Sequence, residues 1–369
     1  MTSTVRAAVI ERPGEPLRIE ELELDEPRAG EVRVRMLASG VCHSDLHVRD
    51  GEWDRPGPLV LGHEGAGVVE QVGPGVTNPP VGALVALTWY APCLRCRACL
   101  AGRPWLCSGS SSGRHRLPDG RTPLHRADGS EVLASCGIAT FGEAIVVPAQ
   151  AAIVMPDGTP PEVAALIGCC VSTGVGAVTK TARVEPGSSV VVIGLGGVGL
   201  SAVMGAVLAG ASPIVAVDRV PAKLELAREL GATQGILATD RPTTDAAIRA
   251  ATAGGPDYTV EAIGLPSTIE QAVEILPPGG TAVLIGMTPF GTRASFEVFP
   301  FVDGGRSILG SNYGSSVAAE DFPRYAALHL AGRLPVDRLI DRRIGLDEVE
   351  EAFDRMRQGQ GVRSVVVYR

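Results

Sequence analysis

A short apolar run followed at once by a glycine-rich turn is the feature that most constrains how this 369-residue chain folds. Residues 189–193 form an apolar run of the kind that a strand buried on both faces shows. The sequence G-L-G-G-V-G follows at residues 194–199, and a helical pattern then continues. A strand, a G-x-G-x-x-G turn and a helix in this order predict a dinucleotide-binding βαβ unit. The residues expected to bind the cofactor there are Gly194, Gly196, Gly197, Val198 and Gly199.

The choice of dinucleotide depends on the end of the next apolar run, where Asp218 stands 19 residues beyond Gly199. A carboxylate at that place accepts both ribose hydroxyls of NAD and repels the 2′-phosphate of NADP, so NAD is favoured. Arg219 adjoins Asp218, and because an arginine can bind that phosphate, NADP stays open. Lys223 is expected near the same ribose.

Apolar runs and helical patterns alternate through the middle of the chain. Beyond Asp218, helices are expected at residues 221–230 and 267–276, and buried strands at residues 258–262 and 281–285. Strands that alternate with helices predict a parallel, doubly wound sheet, which places the chain in the α/β class.

The N-terminal third has a different pattern, in which polar and apolar residues alternate at period two. Residues 5–10, 17–24 and 31–37 show it most clearly, as half-buried strands do. A β-rich domain is therefore expected before the doubly wound sheet. Helical patterns near residues 320–330 and 346–356 come before a closing strand.

Charge and composition exclude some classes of partner. A net charge of −8 disfavours nucleic acid and anionic membrane surfaces. Residues 186–217 are uncharged and long enough to cross a bilayer, but seven glycines interrupt them, so a strand, a turn and a helix are favoured. The first residues show no signal-peptide pattern, and eight cysteines without one favour a reducing, cytoplasmic setting.

Four cysteines stand close together in a C-x2-C-x2-C-x7-C pattern. Four thiolates can close a tetrahedral shell around Zn²⁺ and leave no coordination position for a substrate, so the zinc expected here is structural. Nearby arginines are expected to favour the thiolate form. The alternative is a set of free or redox-active cysteines. The ligands are Cys93, Cys96, Cys99 and Cys107.

Three further segments carry possible metal ligands: Cys42 in G-V-C-H-S-D-L-H, His63 in G-H-E-G-A-G, and Cys169 in G-C-C. Taken singly, each is more often a packed or solvated side chain than a ligand. Their combination, with the four-cysteine pattern and the glycine fingerprint, resembles the zinc-dependent medium-chain alcohol dehydrogenases over nearly the whole chain. The resemblance implies that Cys42, His63 and Cys169 bind a catalytic zinc and leave its fourth position open.

The same resemblance implies roles for residues around this zinc. Glu64 is expected beside the metal, and Asp45 is expected to hold the second nitrogen of His63. Ser44 and His47 resemble the family's proton relay, which leads to the surface. The alternative for each of the two carboxylates and for His47 is an ordinary solvated side chain.

For the cofactor, the family pattern assigns pyrophosphate binding to His43 and Arg363. It places Thr173 and Val198 near the nicotinamide, and histidine at position 43 is a weaker anion ligand than arginine. The cofactors implied are NAD and two zinc ions per chain, one catalytic and one structural.

The resemblance also implies domain limits. A GroES-like catalytic domain is expected at residues 1–170, with the structural zinc lobe at 91–108. A Rossmann NAD-binding domain is expected at 171–313, and residues 314–369 return to the catalytic domain. A homodimer is expected, with a tetramer as the alternative.

The implied reaction transfers a hydride between a small-molecule alcohol and NAD⁺, giving an aldehyde or ketone. Trp53, Trp89 and Met287 are expected to line an apolar pocket, which suits a primary alcohol that is bulky or aromatic. The alternative substrate is an S-(hydroxymethyl) adduct of mycothiol or glutathione. A regulatory protein on this scaffold is a third possibility, although such a protein would be expected to lose zinc ligands. No role is assigned to Cys136, and Cys170 is a bystander or an alternative ligand.

Overall fold

The computed structural model describes residues 3–369 and divides the chain into two compact units. The first unit contains the residues up to Cys169 together with Val317–Arg369, and the second is Cys170–Ser316. The first is rich in antiparallel strands and the second is a doubly wound parallel sheet. The predicted fold class is confirmed.

The first unit contains a closed barrel and a larger sheet. The barrel has the strand order β1-β2-β7-β8-β4, and the sheet has the order β10-β6-β5-β3-β18-β17, with β9 also paired to β3. The strands are β1 (Ser3–Ile10), β2 (Arg18–Leu24), β3 (Glu31–Gly40), β4 (Leu59–Val60), β5 (Glu64–Val72), β6 (Leu84–Leu87), β7 (Leu124–His125), β8 (Glu131–Ala134), β9 (Ala144–Pro148), β10 (Ala152–Val154), β17 (Ile340–Ile344) and β18 (Arg363–Val367).

Strand β3 shows how the sequence pattern produces the sheet. Val32, Val34 and Met36 are buried in the apolar core, whereas Arg33 and Arg35 point to the other face. Both arginines pair there with Glu70 of β5. Because successive side chains of a strand point to opposite faces, the period-two alternation fixes which face is buried.

The first unit also contains helices, the longest of which has 13 residues. They are α1 (His43–Arg49), α2 (Arg97–Leu100), α3 (Pro161–Leu166), α10 (Ala318–Leu330) and α11 (Val349–Arg357). After α3 the chain continues as a wide π-helical turn, Ile167–Val171. Turns of this kind occur often at functional sites.

The helical segment Pro161–Ala182 is long and apolar enough to cross a membrane, but 83% of its most apolar window is buried inside the protein. That degree of burial is typical of a core helix. The uncharged stretch at residues 186–217 forms a strand, a helix and a second strand, as the sequence predicts.

The second unit is a six-stranded sheet with the order β13-β12-β11-β14-β15-β16, in which every pair is parallel. Its strands are β11 (Val190–Ile193), β12 (Ile214–Asp218), β13 (Gln234–Leu237), β14 (Tyr258–Glu261), β15 (Thr281–Leu284) and β16 (Ser307–Gly310). Its helices are α4 (Ser172–Gly176), α5 (Gly197–Ala209), α6 (Pro221–Glu229), α7 (Arg241–Ala251), α8 (Pro266–Glu274) and α9 (Val298–Asp303).

The turn between β11 and α5 has no room for a side chain at Gly199. A Cβ atom there would lie 1.8 Å from the carbonyl oxygen of Gly194, whereas a Cβ at Gly196 would meet nothing within 4 Å. We expect Gly199→Ala to lower the free energy of unfolding by about 1–3 kcal/mol through overpacking. Gly196→Ala is the matched control and should unfold like the parent protein. Thermal unfolding without cofactor measures both, and equal melting temperatures for the two variants would contradict this packing argument.

Candidate functional site

The first possible ligand, Cys42, lies at the start of α1. Strand β3 ends at Gly40, and Cys42 is the extended residue that precedes the helix, with φ −113° and ψ 151°. Its carbonyl oxygen accepts hydrogen bonds from the backbone N–H groups of Asp45 and Leu46. The thiol is buried, so α1 holds it inside the unit.

His63 is held by Asp45, which α1 contributes. One carboxylate oxygen, Oδ1, accepts hydrogen bonds from the backbone N–H of Gly62 and from Nδ1 of His63, each at 3.0 Å. Gly62 has a φ of +89°, a conformation that favours glycine. Because Nδ1 donates to the carboxylate, Nε2 keeps its lone pair for a metal ion.

Cys169 comes from the π-helical turn Ile167–Val171 and is buried like the other two. A Cβ at the preceding Gly168 would lie 2.9 Å from the carbonyl oxygen of Leu87, so the turn packs closely against β6. One ligand atom from each of Cys42, His63, Glu64 and Cys169 lies within 4.8 Å of the others.

The electrostatics of this buried cluster fit a cation. A hydrogen bond with Cys169 is the largest cause that lowers the pKa of Cys42 well below its ordinary value, and the charges of Arg363 and His63 act in the same direction. Burial is the largest single influence on the pKa of His63 and lowers it, but the charges of Asp45 and Cys42 and their hydrogen bonds together raise this pKa well above its ordinary value. A metal ion would take the place of the protons that these groups otherwise share. Two sulfurs and one imidazole nitrogen suit Zn²⁺.

Glu64 and Arg363 lie beside the three ligands. Burial raises the pKa of Glu64 to about 8, although the charge of Arg363 opposes the shift. The guanidinium Nη1 of Arg363 is 3.5 Å from Glu64 Oε1 and donates to the carbonyl oxygen of Val41 at 2.9 Å. A Cβ at Gly40 would come 2.1 Å from Glu64 Oε2, so glycine leaves the space that this carboxylate fills.

The four-cysteine lobe brings its sulfurs within 4.8 Å of one another. The backbone N–H of Cys93 donates to Cys107 Sγ at 3.2 Å, and that of Cys99 donates to Cys96 Sγ at 3.5 Å. The latter bond is the main cause that lowers the pKa of Cys96 to about 5. Backbone donors, rather than arginine charges, are therefore the main causes that favour the thiolate form of Cys96.

The same lobe has almost no apolar core of its own. Helix α2 and the turn Pro104–Leu106 bury none of their residues, and Leu94 and Leu100 are exposed. Burial raises the pKa of Cys99 to about 12, so the four sulfurs do not all ionise without a cation. A closed tetrahedral metal site is the interaction that can hold this segment.

The glycine fingerprint and Asp218 meet in the second unit. The N–H of Leu195 donates to Asp218 Oδ2 at 2.7 Å, and the N–H of Val220 donates to Oδ1 at 2.9 Å. The carboxylate at the end of β12 thus anchors the loop after β11. Arg219 is exposed and Lys223 half-buried just beyond it.

The predicted nicotinamide contacts also belong to the second unit. Thr173 is buried in α4, and Val198 lies in the first turn of α5. A Cβ at Gly174 would lie 2.2 Å from the carbonyl oxygen of Val198, so these two helices approach closely. The fingerprint residues Gly194, Gly196, Gly197 and Gly199 surround the same helix start.

Helix α1 also carries His43, Ser44 and His47. The ring of His47 stacks on Trp53, with centroids 4.8 Å apart, and its Nδ1 lies 2.5 Å from Glu52 Oε2. Glu52 could not be predicted as a functional residue from the sequence, since its only signal is an acidic residue that follows the helix-ending Gly51.

The other predicted pocket residues differ in their surroundings. Trp89 stands edge-on to His63, with ring centroids 6.3 Å apart, whereas Met287 belongs to the second unit and is 58% exposed. Cys136 and Cys170 belong to neither cysteine cluster.

Comparison with known proteins gives a family model for each unit. Residues 28–157 match the alcohol dehydrogenase GroES-like domain, and residues 197–331 match the zinc-binding dehydrogenase model. The chain is 39% identical to alcohol dehydrogenase class-3 of Myxine glutinosa, over 98% of this chain and 97% of the relative. It is 36% identical to S-(hydroxymethyl)glutathione dehydrogenase of Paracoccus denitrificans, over 98% of this chain and 99% of the relative. The crystal structure of benzyl alcohol dehydrogenase from Acinetobacter calcoaceticus superposes with a TM-score of 0.91 at 34% identity, and each chain is covered completely.

Removal of a lobe ligand tests the structural site. We expect Cys96→Ser to reduce bound zinc from two ions per chain to one and to lower the melting temperature, because the lobe has no core to replace the metal. Cys136→Ser is the control and should keep both ions. Elemental analysis of dialysed protein measures the zinc, and a Cys96→Ser protein that retains two ions would contradict the assignment.

Proposed function

Because this chain belongs to the zinc-dependent medium-chain alcohol dehydrogenase family, we propose that it oxidises a bulky or aromatic primary alcohol to its aldehyde. The reaction class is that of the family: the chain is a zinc- and NAD-dependent oxidoreductase that interconverts alcohols and carbonyl compounds. The observation that carries the proposal is the buried convergence of Cys42, His63 and Cys169. When bound, zinc supplies a Lewis acid that eases loss of the hydroxyl proton, and NAD⁺ supplies the hydride acceptor.

In this proposal, Cys42, His63 and Cys169 hold the catalytic zinc, and Cys93, Cys96, Cys99 and Cys107 hold the structural one. Asp45 fixes the tautomer and the orientation of His63 through the 3.0 Å bond to Nδ1. Glu64 is the carboxylate that can approach the metal. Its contact with Arg363 supports that role, because the guanidinium balances the buried charge.

Ser44 and His47 are proposed to take up the proton that the alcohol releases. Ser44 can accept and donate a proton in one step, and His47 is an imidazole with 15% of its side chain exposed to water. Both lie on α1, three residues apart on neighbouring turns. Water reaches the histidine and can carry the proton away.

For the cofactor, Asp218 is proposed to accept the adenosine ribose hydroxyls, with Arg219 and Lys223 nearby. Gly194, Gly196, Gly197 and Gly199 are proposed to receive the pyrophosphate at the start of α5, where the first backbone N–H groups of a helix can bind an anion. His43 and Arg363 are proposed as further pyrophosphate ligands, and Thr173 and Val198 as nicotinamide contacts.

Substrate choice is proposed to depend on Trp53 and Trp89. Trp53 is buried, and Trp89 packs near the proposed zinc ligand His63, so flat apolar groups face this part of the unit. The relative that acts on benzyl alcohol supports an aromatic substrate. Met287 stays a predicted pocket residue.

An S-(hydroxymethyl) thiol adduct is the second candidate substrate, since one relative carries that name. The loop after Cys107 argues against it. The arginine that binds the glutathione carboxylate in class III enzymes is not at its spacing in this loop.

A substrate panel separates the two candidates. We expect kcat/KM for benzyl alcohol with NAD⁺ to exceed that for ethanol by about 10- to 100-fold, because the ring buries apolar surface in the pocket. Formaldehyde is assayed with glutathione, with mycothiol and without a thiol, and NADH absorbance measures each rate. Turnover of the thiol adducts far above that of benzyl alcohol would overturn the proposed substrate and support the second candidate.

The chain is further proposed to be a cytoplasmic homodimer that forms through the second unit. Strand β16 is the last in the sheet order, and β-edges readily pair with a second chain. Just before it, α9 exposes Val298, Phe299 and Val302. Exposed apolar groups beside a sheet edge are typical of an interface.

Negative charge on the exposed apolar face of α9 should separate the subunits. We expect the double variant Phe299→Asp/Val302→Asp to have the 38.2 kDa mass of one chain, whereas the parent has twice that mass. Leu237→Asp, an exposed apolar position on β13 at the opposite end of the sheet order, is the control and should stay dimeric. Light scattering after size-exclusion chromatography measures the masses. A dimeric double variant would rule out this face as the interface.

A further inference from the structure

The end of helix α1 brings an acidic residue onto the histidine of its last turn. Gly51 has a φ of +75°, and its N–H donates to the carbonyl oxygen of Val48. The N–H of Glu52 donates to the carbonyl oxygen of His47 at 2.9 Å. These two bonds and the left-handed glycine form a Schellman motif, which folds the chain back over the final turn. The backbone therefore sets Glu52 beside His47.

Two contacts then fix the imidazole of His47. The ring stacks on Trp53 with an interplanar angle of 23°, which sets the plane of the ring. Nδ1 lies 2.5 Å from Glu52 Oε2, which sets its rotation within that plane. A neutral imidazole has one N–H, so donation from Nδ1 to the carboxylate leaves the lone pair on Nε2.

Other charged groups near His47 have different partners or positions. The ring of His43 meets that of His47 edge-on, with centroids 5.2 Å apart, and Arg55 lies over the ring of Trp53. Arg49 pairs with Glu350, and Asp50 pairs with Arg357. Glu52 is therefore the carboxylate that meets the imidazole.

We propose that Glu52 is a positioning residue for proton transfer, which keeps Nε2 of His47 as the base and stabilises the imidazolium that forms. The inference rests on the proposed role of His47 as the proton acceptor. The 47% exposure of Glu52 keeps its carboxylate in contact with water. An acid that orients a histidine and balances its charge serves the same purpose in hydrolytic triads.

The test compares Glu52→Gln, Glu52→Asp and His47→Gln with the parent enzyme, using benzyl alcohol and NAD⁺ from about pH 6 to pH 9. Glu52→Gln should lower kcat/KM by roughly 10- to 100-fold and change its pH profile, because the imidazolium loses its anionic partner. Glu52→Asp keeps the charge and should restore part of the rate. Asp54→Asn, an exposed carboxylate two residues away, is the control and should behave as the parent does.

The outcomes distinguish the role proposed for Glu52 from the role proposed for His47. If His47→Gln changes the rate and the profile while Glu52→Gln changes neither, Glu52 does not position the histidine, and the proposed relay stands. If His47→Gln itself leaves both unchanged, the relay role and this inference fail together, whereas alcohol oxidation at the zinc is unaffected. Zinc content and melting temperature equal to those of the parent show that each variant is folded.

Discussion

Two thiols, an imidazole and a carboxylate are buried together in the first unit, and this burial is the constraint on which the rest of the site depends. Burial of several ionisable groups is costly unless an opposite charge or a metal ion compensates them. Asp45 and Arg363 supply part of the compensation, since the former binds His63 and the latter approaches Glu64. A zinc ion bound by these sulfur and nitrogen donors would supply the remainder, and its Lewis acidity would make the same arrangement reactive.

Local signals in the sequence were sufficient for much of the fold. The alternation along β3 predicts a strand because one of its faces is buried and requires apolar residues at every second position. The apolar run of β11 predicts a strand because both of its faces are buried. Other elements, β13 and α7 among them, were not predicted. The former is a short edge strand with two exposed residues, so it lacks the apolar signature of a buried strand. The π-helical turn that carries Cys169 has no signal in residue order, since only tertiary packing against β6 shows it.

One part of the candidate site could likewise be predicted from the sequence, and another part could not. Ligand spacing predicts the four-cysteine lobe, because its sulfurs belong to one short segment. Cys42, His63 and Cys169 are far apart in the sequence, and only the resemblance to a family linked them before the structure was known. The contacts of Glu52 with His47 and of Arg363 with Glu64 follow from a helix cap and from strand pairing. Neither contact could be predicted from residue type and spacing.

The most direct measurement is the zinc content and the alcohol oxidation rate of Cys42→Ser beside Cys170→Ala, which changes a buried cysteine outside both clusters. The account predicts that Cys42→Ser keeps one zinc ion per chain and loses activity by about a thousandfold, because the Lewis acid is lost. Cys170→Ala should keep two ions and its activity. A Cys42→Ser enzyme that retains both ions, or that oxidises its alcohol at the parent rate, would contradict the assignment of the catalytic zinc.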